Sequence, residues 1–409
     1  MKTLIICPNE LFSEPRLRKT AIFLDSIGHE VHVLTARTIQ KEKNLYVEIK
    51  KLYPSISFHI IDVSKTSFRS RIIWFLSSLL HIINLKVWTF FKLQLLPNKG
   101  ILNKTLLLSK FPEIKFDLII TSLIDTLPHA IAAKNSLNPG AKVIFDSQEF
   151  FTGQYKLFQS EKRDWVEAIE QKHLNNFDAI FATTNVMLAA LQKKYKLTNP
   201  IYRVRNVPIK KEIPYNQGHQ YNETLKLVWH GKSINIGNIR GVHIIIEAVL
   251  KARCKCDLYL QGEIDQSNIL LLERLKKEFM SENSIYLLPS ADPTLIVKSI
   301  SHYDIGIIGE LPKELNQEYT SSNKLFDFIG AGLAIITPST AGIVETINEY
   351  HNGLIYTPGD ADELAACIVK LHKNRELLNN LKMNSIKARE KDCFWENELA
   401  NIIELSSHN

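Results

Sequence analysis

The sequence predicts an α/β protein of two Rossmann-like domains, each organised around a parallel sheet. Its 409 residues suffice for two domains of about 200 residues that each bury a core. From Lys2 onward, short apolar runs alternate with amphipathic segments, and strand, helix, strand at this spacing is a βαβ unit. The alternation pauses over the polar, Pro- and Gly-containing run Pro208 to Glu223, then resumes. The expected layout is a first domain over 1–207, a linker over 208–223 and a second domain over 224–393.

Composition is that of a soluble globular chain, with 45% hydrophobic and 23% charged residues. Five cysteines (Cys7, Cys254, Cys256, Cys367, Cys393) are scattered without zinc spacing, which predicts a reducing compartment. Cys254 and Cys256 read as alternating residues at a strand edge. Lys2 is followed only by Leu4–Cys7 before Pro8, a run too short for a signal-peptide core and well suited to a buried first strand. The formal charge of +7 is local: eight basic residues and no acidic one lie between Val63 and Pro112. A general nucleic-acid coat is thereby excluded, whereas a local basic surface is not.

In the first half, Lys2–Cys7 reads as a strand, Pro15–Ile27 as a helix ended by Gly28, and His29–Thr35 as a second strand. Arg16 and Arg18 read as solvated helix-start residues, with facing an inter-domain cleft as the alternative for both. Phe116–Ser122, Ala141–Phe145 and Phe177–Thr183 read as further strands. Asp125–Leu137, Trp165–Asn175 and Val186–Tyr195 read as helices, Glu167 and Glu170 pointing outward. Arg71–Leu96 is apolar nearly all round, with Trp74, Phe75, Trp88, Phe90 and Phe91 and a polar stripe at Ser77, His81, Asn84 and Lys92. It can lie at a membrane surface, pack as two short helices, or span. Mid-segment His81, Asn84 and Lys86 disfavour spanning, and aromatics beside basic flanks favour an interfacial helix on anionic lipid over 65–110.

In the second half, Leu225–His230 is a strand, followed by Gly231-Lys232 and a loop to Arg240-Gly241 that opens helix Val242–Leu250. Asp257–Gly262, Ile285–Leu288 and Tyr303–Ile308 read as strands. Ser321-Ser322-Asn323-Lys324-Leu325-Phe326-Asp327 then reads as a helix start capped by Ser322, with Lys324 in the first turn and Asp327 on the same face. Backbone N–H groups at such a start hold phosphate. An ordinary capped helix explains the spacing equally well. Asp360-Ala361-Asp362 has a metal-binding form but reads as acidic residues opening a helix.

The run Asn323-Lys324-Leu325-Phe326-Asp327-Phe328 through Gly332-Leu333-Ala334-Ile335-Ile336 resembles the N-K-x-F-E-Y segment of the family-4 retaining glycosyltransferases of the GT-B fold. Asp146-Ser147-Gln148-Glu149 resembles that family's D-x-H-E turn, with Gln148 at the His position. Gly231-Lys232 and Arg240-Gly241 resemble its diphosphate-clamping G-R…K-G element, and Phe394 onward its terminal helix, residues 394–409, which packs back on the first domain. The resemblance implies two domains facing a cleft and a nucleotide-sugar donor, with uridine as the expected base. Lys324, Arg240 and Lys232 with Gly231, Ser322 and Asn323 would take the diphosphate, Asp327 the ribose, and the strand-end loop at Leu288 the base. Gln148 would hold the sugar or acceptor, beside Arg16 and Glu149 on the acceptor side. Gln can hydrogen-bond a hydroxyl but cannot transfer a proton. The pattern's usual first carboxylate, eight residues before Asp327, is Tyr319 here, with Glu318 one place off.

The expected activity is therefore metal-independent transfer of a sugar to a glycan, the basic apolar stretch implying a lipid-linked acceptor. That implies bacterial-type surface polysaccharide synthesis at the cytoplasmic face of a membrane. Two alternatives share the fold: a sugar-nucleotide 2-epimerase, which needs carboxylates near the sugar, and a non-catalytic nucleotide-sugar-binding subunit.

Overall fold

The structure, a computed structural model, describes residues 1–7, 11, 14–37, 50–62, 65–76, 78–79, 111, 113–154, 160–214, 223–237, 240–279, 281–400 and 403. Contacts divide the chain into two compact units, Met1–Val204 with Leu399–Asn409, and Arg205–Glu398.

The first unit holds strands β1 (Lys2–Cys7), β2 (Glu30–Arg37), β3 (Ser57–Asp62), β4 (Leu118–Thr121), β5 (Lys142–Ser147), β6 (Ala179–Ala182) and β7 (Ile201–Arg203). Their order is β3-β2-β1-β4-β5-β6-β7, every pairing parallel. Central strands β1, β4 and β6 are apolar and buried on both faces, as a parallel sheet covered by helices requires. β3 is absent from the sequence reading because it is a half-buried edge strand, in which Ser57, His59 and Asp62 blur the alternation.

Helix Pro15–Ser26 begins on Pro15, whose fixed φ suits the first turn. Its arginines are not solvated: Arg16 is 1% exposed and Arg18 is buried as well. Arg16 Nε lies 2.9 Å from Asp146 Oδ2, Nη2 reaches Oδ1, and Nη1 donates to the Val204 carbonyl at 2.6 Å. This is a bidentate ion pair inside the unit, tying the first helix to the end of β5.

Helix Ser160–His173 also corrects an expectation, because Glu170 points inward and is fully buried. The Tyr195 hydroxyl donates to Glu170 Oε2 at 2.5 Å. Burial pushes the Glu170 carboxyl up to about 8 from 4.5, against the downward pull of the Tyr195 hydrogen bond and the Lys194 charge. The folded state therefore keeps this proton between about pH 4.5 and 8 while the unfolded chain gives it up, so stability falls as pH rises through that window. Glu170→Gln should remove the dependence, gaining on the parent by about 1.4 kcal/mol per pH unit. Urea midpoints of both proteins at pH 5.5 and 8 check this; a parallel response of the two would refute it.

The second unit holds β8 (Leu225–Ser233), β9 (Cys256–Glu263), β10 (Ile285–Leu288), β11 (Ile305–Ile307), β12 (Ala334–Pro338) and β13 (Gly353–Tyr356). These form a parallel sheet in the order β10-β9-β8-β11-β12-β13. Leu225, Leu227 and Trp229 of β8 pack with Ile245 and Val249 of helix Val242–Lys251 in one buried core. Helix Asn323–Ala331 lies on β11: a Cβ on Gly306 would fall 2.3 Å from the Phe328 ring, so only glycine admits that approach. Helix Arg375–Lys391, which the sequence reading omits, buries Leu378, Leu381, Ser385 and Ile386 on one stripe of an otherwise polar surface.

Cys256 opens β9, whereas Cys254 precedes the strand, so the two do not alternate along it. Asp360 caps helix Ala361–Lys373 by accepting from Glu363 N at 2.9 Å, and Asp362 pairs with Lys251. Arg205 is buried against Glu398 (Nη2 to Oε1, 2.6 Å), and Trp395 N donates to the Pro208 carbonyl. The short helix Trp395–Glu398 thus sits with the second unit, and Leu399 with the first.

Candidate donor site at the switch point of the second sheet

In the second sheet β8 has β9 on one side and β11 on the other, so strand order reverses there. Ligands of open parallel sheets bind outside the carboxyl ends of the strands at that reversal. The carboxyl end of β8 carries His230-Gly231-Lys232, and its pairing with β9 slips between His230 and Ser233. Such a bulge re-aims the backbone at a strand end. The carboxyl end of β11 runs into Ile308-Gly309-Glu310.

Two glycines bring a third loop onto these ends. Gly241 has φ 61, and a Cβ there would lie 1.7 Å from the Gly309 carbonyl oxygen. Gly241 and Gly309 can therefore touch only as glycines, and their contact holds the Arg240 loop at the end of β11. Arg240 in turn lies along Gly231, where an added Cβ would be 3.2 Å from Nη1 and 2.7 Å from the Trp229 ring.

Helix Asn323–Ala331 completes the cluster. Lys324 is 7% exposed; its Nζ lies 2.8 Å from Glu310 Oε1 and 5.5 Å from the centroid of the Trp229 ring. Ser322 does not cap this helix with its side chain. Its hydroxyl donates to the same Glu310 Oε1 at 2.8 Å, and only its carbonyl enters the first turn, accepting from Leu325 N. The first amides of the helix thus carry no side-chain cap, and a helix start of that kind suits an anion. Burial raises the Glu310 carboxyl, but Lys324, the Ser322 hydroxyl and Arg240 pull harder in the other direction, so it lies below its ordinary value and is ionised. Glu310 is the principal site residue that the sequence reading missed. Its only signal is its place directly after the strand that flanks the reversal.

Asp327 sits one turn beyond Lys324, with Oδ2 3.4 Å from His230 Nε2. His230 is pushed down to about 3, first by burial and then by the Lys324 charge, so its imidazole is neutral and the contact is not an ion pair. The alignment falls short of a hydrogen bond, and Nε2 is left without one among the described residues. Asn323 Oδ1 accepts from Asn206 Nδ2 at 2.7 Å. Lys232 is exposed at the end of β8, and Leu288 ends the edge strand β10 half-buried. The structure thus gathers Gly231, Arg240, Ser322, Lys324 and Asp327 around one strand-order reversal.

The remaining candidates lie in the first unit. Gln148 follows β5, its Nε2 3.5 Å from Glu14 Oε2, and the Glu149 carbonyl accepts from the Ser147 hydroxyl. Arg16 is committed to Asp146 and Val204, so it braces the end of β5 instead of presenting a free guanidinium. Glu318, the near-miss for the first carboxylate, accepts from Ala341 N at 2.9 Å at the start of helix Ala341–Tyr350.

Two parallel-sheet α/β units with this strand order are those of the GT-B glycosyltransferase fold. Anabaena HepE, solved with UDP and glucose, matches at TM-score 0.67 and 12% identity over 100% of both chains. Sucrose-phosphate synthase from Thermosynechococcus elongatus matches at 0.67 and 14%, over 100% of this chain and 98% of that one. WaaG, a glycosyltransferase involved in lipopolysaccharide biosynthesis, matches at 0.62 and 12%, over 99% and 100%. Residues 224–374 match the family model described as Glycosyl transferases group 1. No curated protein matches the sequence.

Proposed function

We propose that the protein transfers a sugar, with retention, from a UDP-linked donor to a glycan acceptor. The observation that carries this is the convergence of buried Lys324, Arg240 and an uncapped helix start at the strand-order reversal of the second unit. The nucleotide preference is supported by HepE, a structural neighbour solved with UDP-glucose. As the bond from the sugar to the diphosphate breaks, negative charge grows on the leaving phosphate. Fixed donors aimed there lower the barrier because they need no reorganisation. Lys324 supplies a point charge from inside the unit and Arg240 a planar fork from the loop. Lys232 adds a mobile charge at the rim, and Asp327 accepts from ribose hydroxyls. Gln148 and Glu149, at the end of β5 in the first unit, hold the sugar or acceptor by hydrogen bonds, without proton transfer by Gln148. The test is release of UDP from a panel of UDP-sugars with and without glycan acceptors. If no UDP-sugar is either bound or consumed, the proposal is wrong.

A lipid-linked acceptor, reached at an anionic membrane surface, is supported by the helical segment 68–76. Phe68 is 82% and Phe75 59% exposed, and Ile72, Leu76 and Leu79 are exposed as well. Lys65 stands over the Trp74 ring, its Nζ 3.4 Å from the centroid, and Arg69 and Arg71 supply charge for headgroups. Residues 80–110, most of the expected interfacial stretch, lie outside the described residues. Among the described residues no helix is long and apolar enough to cross a membrane. Replacing Phe68 and Phe75 together by serine should lower partition onto phosphatidylglycerol vesicles at least about tenfold, since burying one such ring contributes about 1.5–3 kcal/mol. Cosedimentation measures this, and equal binding by the variant would remove the membrane from the proposal.

A further inference from the structure

We propose that Glu310 is an internal counter-anion of the diphosphate site. In the free protein its carboxylate takes the place of a donor phosphate on Lys324 and Ser322, and so sets how weakly the nucleoside diphosphate is held. This rests on the reading of the cluster as the diphosphate site and adds how that site is regulated.

The geometry is that of a ligand oxygen. One carboxylate oxygen, Oε1, receives both the Lys324 ammonium and the Ser322 hydroxyl, each at 2.8 Å, in front of the uncapped start of helix Asn323–Ala331. A lysine this deeply buried is costly without a partner, and Glu310 is its ion-pair partner. Glu310 itself belongs to no helix or strand. It lies between β11 and helix Leu315–Tyr319, and its side chain keeps 30% of its exposure, so it has an exit towards water.

Charge makes the contact exclusive. Lys324 and Arg240 bring two positive charges, and Glu310 cancels one of them. A diphosphate arriving on Lys324 meets an ionised carboxylate at contact distance, and like charges that close repel strongly. Phosphate and Glu310 therefore compete for the same two donors. The donor must displace the carboxylate, and after the sugar leaves, the returning carboxylate helps to expel UDP. A site of two cations without it would hold its product longer.

Calorimetric titration of the full chain with UDP tests this, at two salt concentrations, for the parent, Glu310→Gln and Glu310→Asp. Gln keeps the shape and removes the charge. It should bind UDP at least tenfold more tightly than the parent and show a lower melting temperature without ligand but a larger rise with UDP. Its kcat should fall together with KM as product release slows. Asp, too short to span both donors, should fall between the two. UDP affinity in Glu310→Gln that equals or falls below that of the parent would overturn the proposal. If the parent itself fails to bind UDP, the diphosphate reading is lost along with it.

Discussion

Alanine at Lys324 is expected to lower kcat/KM for sugar transfer by about 10²- to 10³-fold, the loss typical of removing one preorganised donor from a developing anion. The effect should be large because this ammonium is 7% exposed and fixed between Glu310 and the Trp229 ring, so it needs no reordering when charge appears on the leaving phosphate. Water cannot take its place at full strength in so enclosed a position. Removal also leaves Glu310 facing the ligand without its cation, turning an attractive pair into a lone repulsive charge. Lys232→Ala is the control, since an exposed charge at the strand end is screened and should cost far less. Steady-state kinetics on both variants decide it. A Lys324→Ala protein that turns over like the parent would move the catalytic electrostatics elsewhere.

Methionine at Arg16 is expected to destabilise the first unit by about 3–5 kcal/mol, the cost of stranding one partner of a buried ion pair. Asp146 would keep its charge with side-chain exposure of only 4%, and the Val204 carbonyl would lose its donor. The pair spans 130 residues of sequence, so its loss loosens the first helix from the carboxyl end of β5. For a unit of this size that corresponds to a fall in melting temperature of roughly 6–20 °C. Arg16→Met combined with Asp146→Asn should recover much of the loss, because the double change removes both charges. Thermal unfolding of the two singles and the double gives the coupling directly, and additive losses would argue that the pair contributes little.

Much of the frame was legible because parallel sheets advertise themselves. Runs such as Leu4–Cys7 and Ala334–Ile336 are apolar on both faces, and each is followed by an amphipathic helix with a recognisable start or stop. The elements that escaped are those whose burial is partial: edge strand β3, and helix Arg375–Lys391 with its thin apolar stripe. In the site, Lys324, Arg240 and Asp327 were legible from local wording around two helix starts. Glu310 and His230 were not, since no fixed spacing ties them to Lys324 and only the parallel pairing of β11 with β8 brings them near it. Arg16 and Glu170 were misread for the same reason. A charged residue on a helix reads as solvated until its partner, distant in sequence, is known.

The first unit is discontinuous, drawing on Met1–Val204 and again on Leu399, whose side chain is almost wholly buried. During synthesis the ribosome therefore delivers the whole second unit before the first can be finished. The nascent first unit must wait for Leu399 while nearly two hundred further residues emerge. Apolar surface left open for that interval is what chaperones bind.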